Sequence, residues 1–387
     1  MTRFTACLLT VVTVVTLATG PVLAADAAPP ASDTTTRDVM HRVFDSIAYL
    51  LPLSVRDAEQ ATSWDRELID DKLKVLQEAS DALVAHAQGK DDEFRYLARS
   101  FGETTRDITS SFRETWPSYA YFSLMELTQH CVACHSRLPS DAQTAFGQRL
   151  MARIDTADFD PSELAQLYVA TRQFDAAEGV LERKLMSPKE DAIDLDNAGV
   201  LLDYLNIVLV VRQDTERAAA LLDRFAGRPD VPRYLRQRLA AWQQSLKTLA
   251  PVLRAEPSLA AAHELFTQAD GMTRAPRGRE RAIHDLVAAS QLQRYIAQHP
   301  GAQGKEIADA YYMLGIIALR TIEPKYSVPE MELLFASSIR AAPQGPHALE
   351  SYNLLEEFGY WRDLHLARAG DDSSIIDMNE LRKLIGE

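Results

Sequence analysis

From Thr36 onward the chain returns an apolar residue every three or four positions, and no stretch alternates apolar and polar residues as a half-buried strand would. That period admits only helices packed on helices, so the chain is expected to be all-α. Each helix then has one stripe to bury, and its neighbours in sequence are the first candidates to cover it.

Four helices are predicted ahead of residue 145. The first runs from about Thr36 to Leu51, with Met40, Phe44, Ile47 and Leu51 on one stripe and Pro52 to stop it. The second runs from about Trp64 to Ala87, capped by Ser63, with Ile69, Leu73, Leu76 and Leu83 as its stripe. A third opens on Asp91, Asp92 and Glu93, acids that suit a helix N-terminus, and carries Phe94, Leu97, Phe101, Ile108 and Phe112. The fourth begins at Pro117, and its stripe is Ala120, Leu124, Leu127, Cys131 and Cys134. Short connections make neighbours antiparallel, so residues 36–145 are expected to form an up-down four-helix bundle.

Residues 146–387 read as a second domain, a string of helix pairs. Leu164, Ala165, Tyr168, Ala177 and Leu181 recur in one pair, and Leu314, Gly315, Phe335, Ile339 and Pro343 in another. At these positions the chain resembles tetratricopeptide repeats, with Arg172 standing where such a repeat has its turn glycine. Helices near 192–212, 215–226, 231–249, 258–268 and 278–298 lack a repeat signature. A generic helical domain therefore stays open beside the repeat reading. Stacked helix pairs form concave surfaces, so this half is expected to dock a protein partner.

The first 24 residues predict export. Arg3 precedes an uncharged run, Phe4 to Ala18, then Gly20-Pro21 and the small-residue site Val22-Leu23-Ala24. This is the layout of a cleaved signal peptide, which would leave a mature chain in the periplasm after a flexible leader over 25–35. The run falls short of the roughly 20 apolar residues a spanning helix needs, so no membrane span is expected in the mature chain. A formal net charge of -14 repels phosphate backbones and argues against a nucleic-acid partner.

Of three cysteines, Cys7 should leave with the signal peptide. Cys131 and Cys134 remain, three apart. A disulfide across a two-residue gap would restrain almost nothing in the unfolded chain. The pair is followed at once by His135, giving Cys131-Val132-Ala133-Cys134-His135. Two thiols at this spacing add to the two vinyl groups on one edge of a haem, and the adjacent imidazole swings under the ring to bind iron. The motif thus predicts one haem c, held by two thioether bonds, with His135 as an axial ligand.

A second iron ligand must come from the opposite side of the ring, hence from another helix. Met40, a soft sulfur on the first helix, is the leading candidate. His41, His86 and an open position remain as alternatives. His130 is expected to be exposed or to stand behind the ligands, and Met125 to be packing. Arg137 could contact a haem propionate through charge-assisted hydrogen bonds, with a solvated arginine as the rival reading.

With its helix count and the placement of Cys131, Cys134 and His135, the region from Thr36 to Pro139 resembles the cytochromes c-prime and c-556. That resemblance implies a haem near the C-terminus of the last helix. A first-helix methionine would be the distal ligand in the c-556 manner, and a non-coordinating residue in the c-prime manner. The chain departs from that pattern after the histidine, where Ser136-Arg137-Leu138-Pro139 replaces an aromatic-basic pair.

Two functions follow as expectations, and a third, peroxide chemistry, ranks behind them because His41 is the sole candidate on the first helix for a distal acid-base group. A methionine-histidine iron carries single electrons to and from a redox partner protein, whereas an open distal face binds nitric oxide or carbon monoxide. No nucleophile elbow, Walker loop or dinucleotide fingerprint is present, so no enzymatic activity is expected. The histidines at 263, 284, 299, 347 and 365 lack metal-ligand spacing. Arg274, Arg277, Arg279 and Arg281 are expected to be a solvated cluster at a helix start.

Overall fold

A computed structural model of the chain describes residues 36–54, 65–90, 92–114, 124, 127, 130–131, 145–157, 159–272, 279–321, 328–366 and 378–386. Every regular element among the described residues is a helix. None is long and apolar enough to cross a membrane. The expected signal peptide and leader, residues 1–35, lie outside them, as do Ser63, Trp64, Pro117 and Ala120.

Three helices open the described chain: α1 (Thr36–Ser54), α2 (Arg66–Ala87) and α3 (Asp92–Glu114). α1 does not stop at Pro52 as predicted. A proline in the last turn removes only its own N–H bond, and Leu50, Leu51 and Leu53 are buried around it. α2 begins at Arg66, capped by Asp65, whose carboxylate accepts the N–H of Leu68 at 3.1 Å. Its buried stripe includes all four predicted residues, Ile69, Leu73, Leu76 and Leu83.

Cross-helix bonds fix the directions. Thr36 and Arg42 of α1 meet His86 and Glu78 of α2, at 2.5 and 3.1 Å. Asp70 and Asp81 of α2 meet Arg113 and Arg106 of α3, at 2.7 and 3.6 Å. Numbers rise on one helix as they fall on the next, so both neighbouring pairs are antiparallel. Leu124, Leu127, His130 and Cys131 are also helical, and the first three are buried.

The second half continues with α4 (Ala145–Met151), α5 (Pro161–Ala170) and α6 (Phe174–Leu185). Ala165, Ala177 and Leu181 are buried where the repeat resemblance puts packing residues, and Leu164 and Tyr168 are half-buried. Arg172 turns the chain between α5 and α6 with φ +60°, the left-handed conformation a glycine would adopt without steric cost.

The single helix expected near 192–212 is broken. α7 (Ala192–Asn197) ends before Gly199, whose φ of +80° redirects the chain, and α8 (Val200–Leu205) passes into a π-helical turn, Asn206–Val211. Ile207 to Val210 are all buried, as in a helix surrounded on every side.

α9 (Thr215–Ala226), α10 (Arg233–Arg254), α11 (Leu259–Met272) and α12 (Ala282–Gln298) follow. The last four are α13 (Lys305–Thr321), α14 (Val328–Ala341), α15 (Ala348–Leu366) and α16 (Met378–Ile385). Gly315 on α13 lies against Phe335 on α14, and a Cβ there would stand 2.8 Å from the ring. Close helix approach requires glycine at that point.

The buried apolar residues fall chiefly into two clusters. One joins α1, α2, α3, Leu124 and Leu127, with Met151, Ile154, Phe159 and Leu167 from beyond residue 145. The other spans the later helices and takes in Tyr96 and Leu97 from α3. The buried Tyr96 hydroxyl donates to Glu332 Oε2 on α14 at 3.0 Å, tying α3 to the second half.

Candidate functional site

Cys131 is the last described residue of the fourth helical segment. Its thiol is half-buried, and Sγ lies 3.7 Å from the Leu127 carbonyl oxygen. Cys134, His135, Arg137 and Met125 lie outside the described residues. Leu127 and Leu124, one and two turns back, are 1% and 3% exposed, so these positions mark a face turned to the core. A thiol at the margin of that face can bond a planar group lying against the helices without leaving the helix.

His130 is neither exposed nor remote. It is 5% exposed, with Nδ1 3.3 Å from Ser100 Oγ and Nε2 3.0 Å from Thr104 Oγ1. The edge of its ring meets Phe101, with centroids 6.2 Å apart. Burial pulls its pKa down to about 4, so the ring is uncharged at neutral pH. Both nitrogens being taken by α3 hydroxyls, His130 has none to offer a metal. Sequence reasoning missed this because the partners sit on another helix. The only trace is the i, i+4 spacing of Ser100 and Thr104, which puts two hydroxyls on one face.

Met40 is half-buried and packs against the first apolar cluster, at the outer end of a stripe whose other members, Phe44, Ile47 and Leu51, are buried. Its height along the helices can be read from the cross-helix bonds. Ser100 and Thr104, level with His130, lie next to the Arg106–Asp81 pair on the side toward the α2 C-terminus. The α2 C-terminus meets Thr36 through His86, and Glu78 meets Arg42. Met40, four residues from Thr36 and two from Arg42, therefore stands at the same end of the helices as His130 and Cys131.

The two histidine alternatives share that end. His86 has Nε2 bound to Thr36 Oγ1, which removes that nitrogen from ligation. His41 is half-buried beside Met40. Among the described residues no group of three His, Cys, Asp or Glu is placed to hold a metal ion.

Comparison with protein-family models, with curated proteins and with solved structures finds no match to this chain. The site stands on its own residues.

Two arginines expected to be solvated are not. Arg279 donates to the Asp196 and Asn197 carbonyls, and Arg281 pairs with Asp285 at 3.7 Å and Asp270 at 3.9 Å. Their side chains are spent on α7, α11 and α12 rather than presented to a partner. Arg274 and Arg277 lie outside the described residues.

Proposed function

We propose that this chain is an exported c-type cytochrome that carries one electron at a time. Cys131 and Cys134 would hold a single haem c through thioether bonds, His135 would bind its iron, and Met40 would approach from the opposite face. When bound, the haem supplies a one-electron couple at iron. The observation that carries the reading is the shared height of Met40 and Cys131, given the attachment motif that begins at Cys131.

The chain's own residues would do the rest. Leu124 and Leu127 anchor the attachment helix in the apolar cluster, and uncharged residues on α1 to α3 keep water and charge away from the ring. The four helices of this region would form a bundle of the kind implied by the resemblance to cytochromes c-prime and c-556. The later helices would hold a redox partner protein, and Arg137 would meet a propionate.

A second reading rests on Met40 itself. It is the least buried member of its stripe, and a methionine that stays at the margin would leave the distal face open to nitric oxide or carbon monoxide. One experiment separates the two. The full chain is produced with its leader in a host that attaches haem to exported proteins, and its reduced spectrum is recorded with and without carbon monoxide. An unchanged spectrum supports electron transfer, and a large immediate change supports gas binding. A protein whose haem extracts into acid solvent, or that carries none, overturns both.

A further inference from the structure

The polar set on α3 points to a role for the residue just ahead of the attachment motif. We propose that His130, clamped between Ser100 and Thr104, is a positioning residue that fixes the rotation and height of the helix presenting Cys131, and so sets the seat of the haem. This rests on the haem reading above.

Apolar stripes alone specify a helix interface weakly in the direction along the axis. Their contacts are non-directional, so Leu124 and Leu127 hold the segment in the core without by themselves fixing its rotation and height closely. A buried polar group is different, because a misplaced one loses its partners and costs about 1–3 kcal/mol. His130 has two such partners, at 3.3 and 3.0 Å, one on each ring nitrogen. A neutral imidazole has one donor and one acceptor, and a hydroxyl can play either part, so the clamp closes without charge. Burial keeps the ring in that uncharged form at neutral pH.

The clamp also has a fixed base. Ser100 and Thr104 follow Tyr96 at four-residue steps on the same face of α3. Tyr96 donates to Glu332 of α14, so the stripe that grips His130 is itself held against the second half. Cys131 is the next residue along, and rotating its helix by one residue would turn its thiol about 100° away. His130 would touch neither haem nor iron. It acts through Cys131, and through the placement of the histidine that would bind iron.

The test compares full-length holo-protein of the wild type with His130→Leu, His130→Gln and Thr104→Val. Thr104→Val is close in volume and removes one of the two bonds, so it reports even if His130→Leu fails to accumulate. Helix content is followed by circular dichroism, and the haem by its reduction potential and by the fraction that binds carbon monoxide. His130→Leu and Thr104→Val should keep wild-type helix content while shifting the potential. In a wild type closed to carbon monoxide, the fraction that binds it should also rise from near zero; in an open one the potential alone reports. His130→Gln, which keeps a donor and an acceptor, should restore part of both values. Unchanged potential and carbon monoxide response in Thr104→Val and in any folded His130→Leu overturn the positioning role alone. A wild type without covalent haem overturns it together with the haem reading.

Discussion

The two regions of this molecule bury their polar groups in different ways. Among the described residues of α1 to α3 and the segment at 124–131, the buried polar side chains are Ser46, Ser80, Ser100, Thr105, Thr109 and His130, all uncharged at neutral pH. The later helices bury Glu178, Asp196, Arg228, Asp285 and Glu332. Glu178 lies between Arg212 at 3.1 Å and Arg217 at 2.7 Å, and Asp196 between Arg238 and Arg279. Buried ion pairs add little net stability over apolar packing, but breaking one is costly, so they specify which helix faces which. The first region keeps its cross-helix ion pairs, such as Arg42–Glu78 and Arg113–Asp70, at the surface, and its buried polar groups are hydroxyls and one imidazole. Burial and nearby charge both tune the potential of a haem, so the placement of charge in this region would bear on the couple of the proposed haem.

The largest test of the contrast is to break one polar group of each kind. Asp196→Ala would leave Arg238, 14% exposed at its side chain, without its carboxylate, and should cost about 3–5 kcal/mol in urea unfolding. Thr109→Ala removes a hydroxyl that donates to the Thr105 carbonyl at 2.8 Å and should cost about 1 kcal/mol. Equal costs would erase the distinction between the regions.

Acid and base should separate them next. His130 has its pKa pulled from 6.5 to about 4, so its contribution is full above pH 6.5 and is lost as pH falls toward 4. Asp285 has its pKa pushed from 3.8 to about 6, because burial outweighs Arg320 and Arg281, so its contribution is full below pH 3.8 and is lost as pH rises through 6. The slopes are opposite over the same window, each worth about 3 kcal/mol at most. Unfolding followed between pH 4 and 6.5 should lose the rising slope in His130→Gln and the falling one in Asp285→Asn. A variant that leaves its own slope in place refutes that assignment.

Tyr96→Phe probes the bond between the regions. It removes the donor to Glu332 and should cost about 1.5–3 kcal/mol, the scale of a hydrogen bond to a charged group. If haem absorbance and helix signal then melt at different temperatures, this bond couples the two regions. If they still melt together, the apolar contacts suffice.

What the sequence disclosed follows the same divide. The stripe of α2 and the buried Ala165, Ala177 and Leu181 were legible, because each is a local period set by one helix. The Gly199 break was not, since a lone glycine inside a helical pattern does not by itself show that the chain adopts a positive φ there. The exposed reading of His130 and the solvated reading of Arg279 and Arg281 fail for one reason: a polar residue's burial depends on partners far along the chain. Arg279 finds Asp196 across 83 residues. At the candidate site, the spacing of Cys131, Cys134 and His135 is read from the sequence alone, whereas the α3 clamp needed three dimensions.

At helix starts the two regions should not differ at all, and this gives the smallest effect. Asp65 caps α2 by accepting from Leu68, and Asp214 caps α9 by accepting from Glu216 at 3.1 Å and Arg217 at 2.9 Å. Ser63, the expected cap of α2, was set aside in favour of Asp65 because a cap must sit immediately before the first turn, and α2 begins at Arg66. Both carboxylates meet orphan N–H groups at a positive helix end, a local arrangement indifferent to what lies in the core. Asp65→Ala and Asp214→Ala should therefore each cost about 1 kcal/mol by urea unfolding. A cost at Asp214 several times that at Asp65 would extend the reliance on charge in the second region from its core to its helix termini.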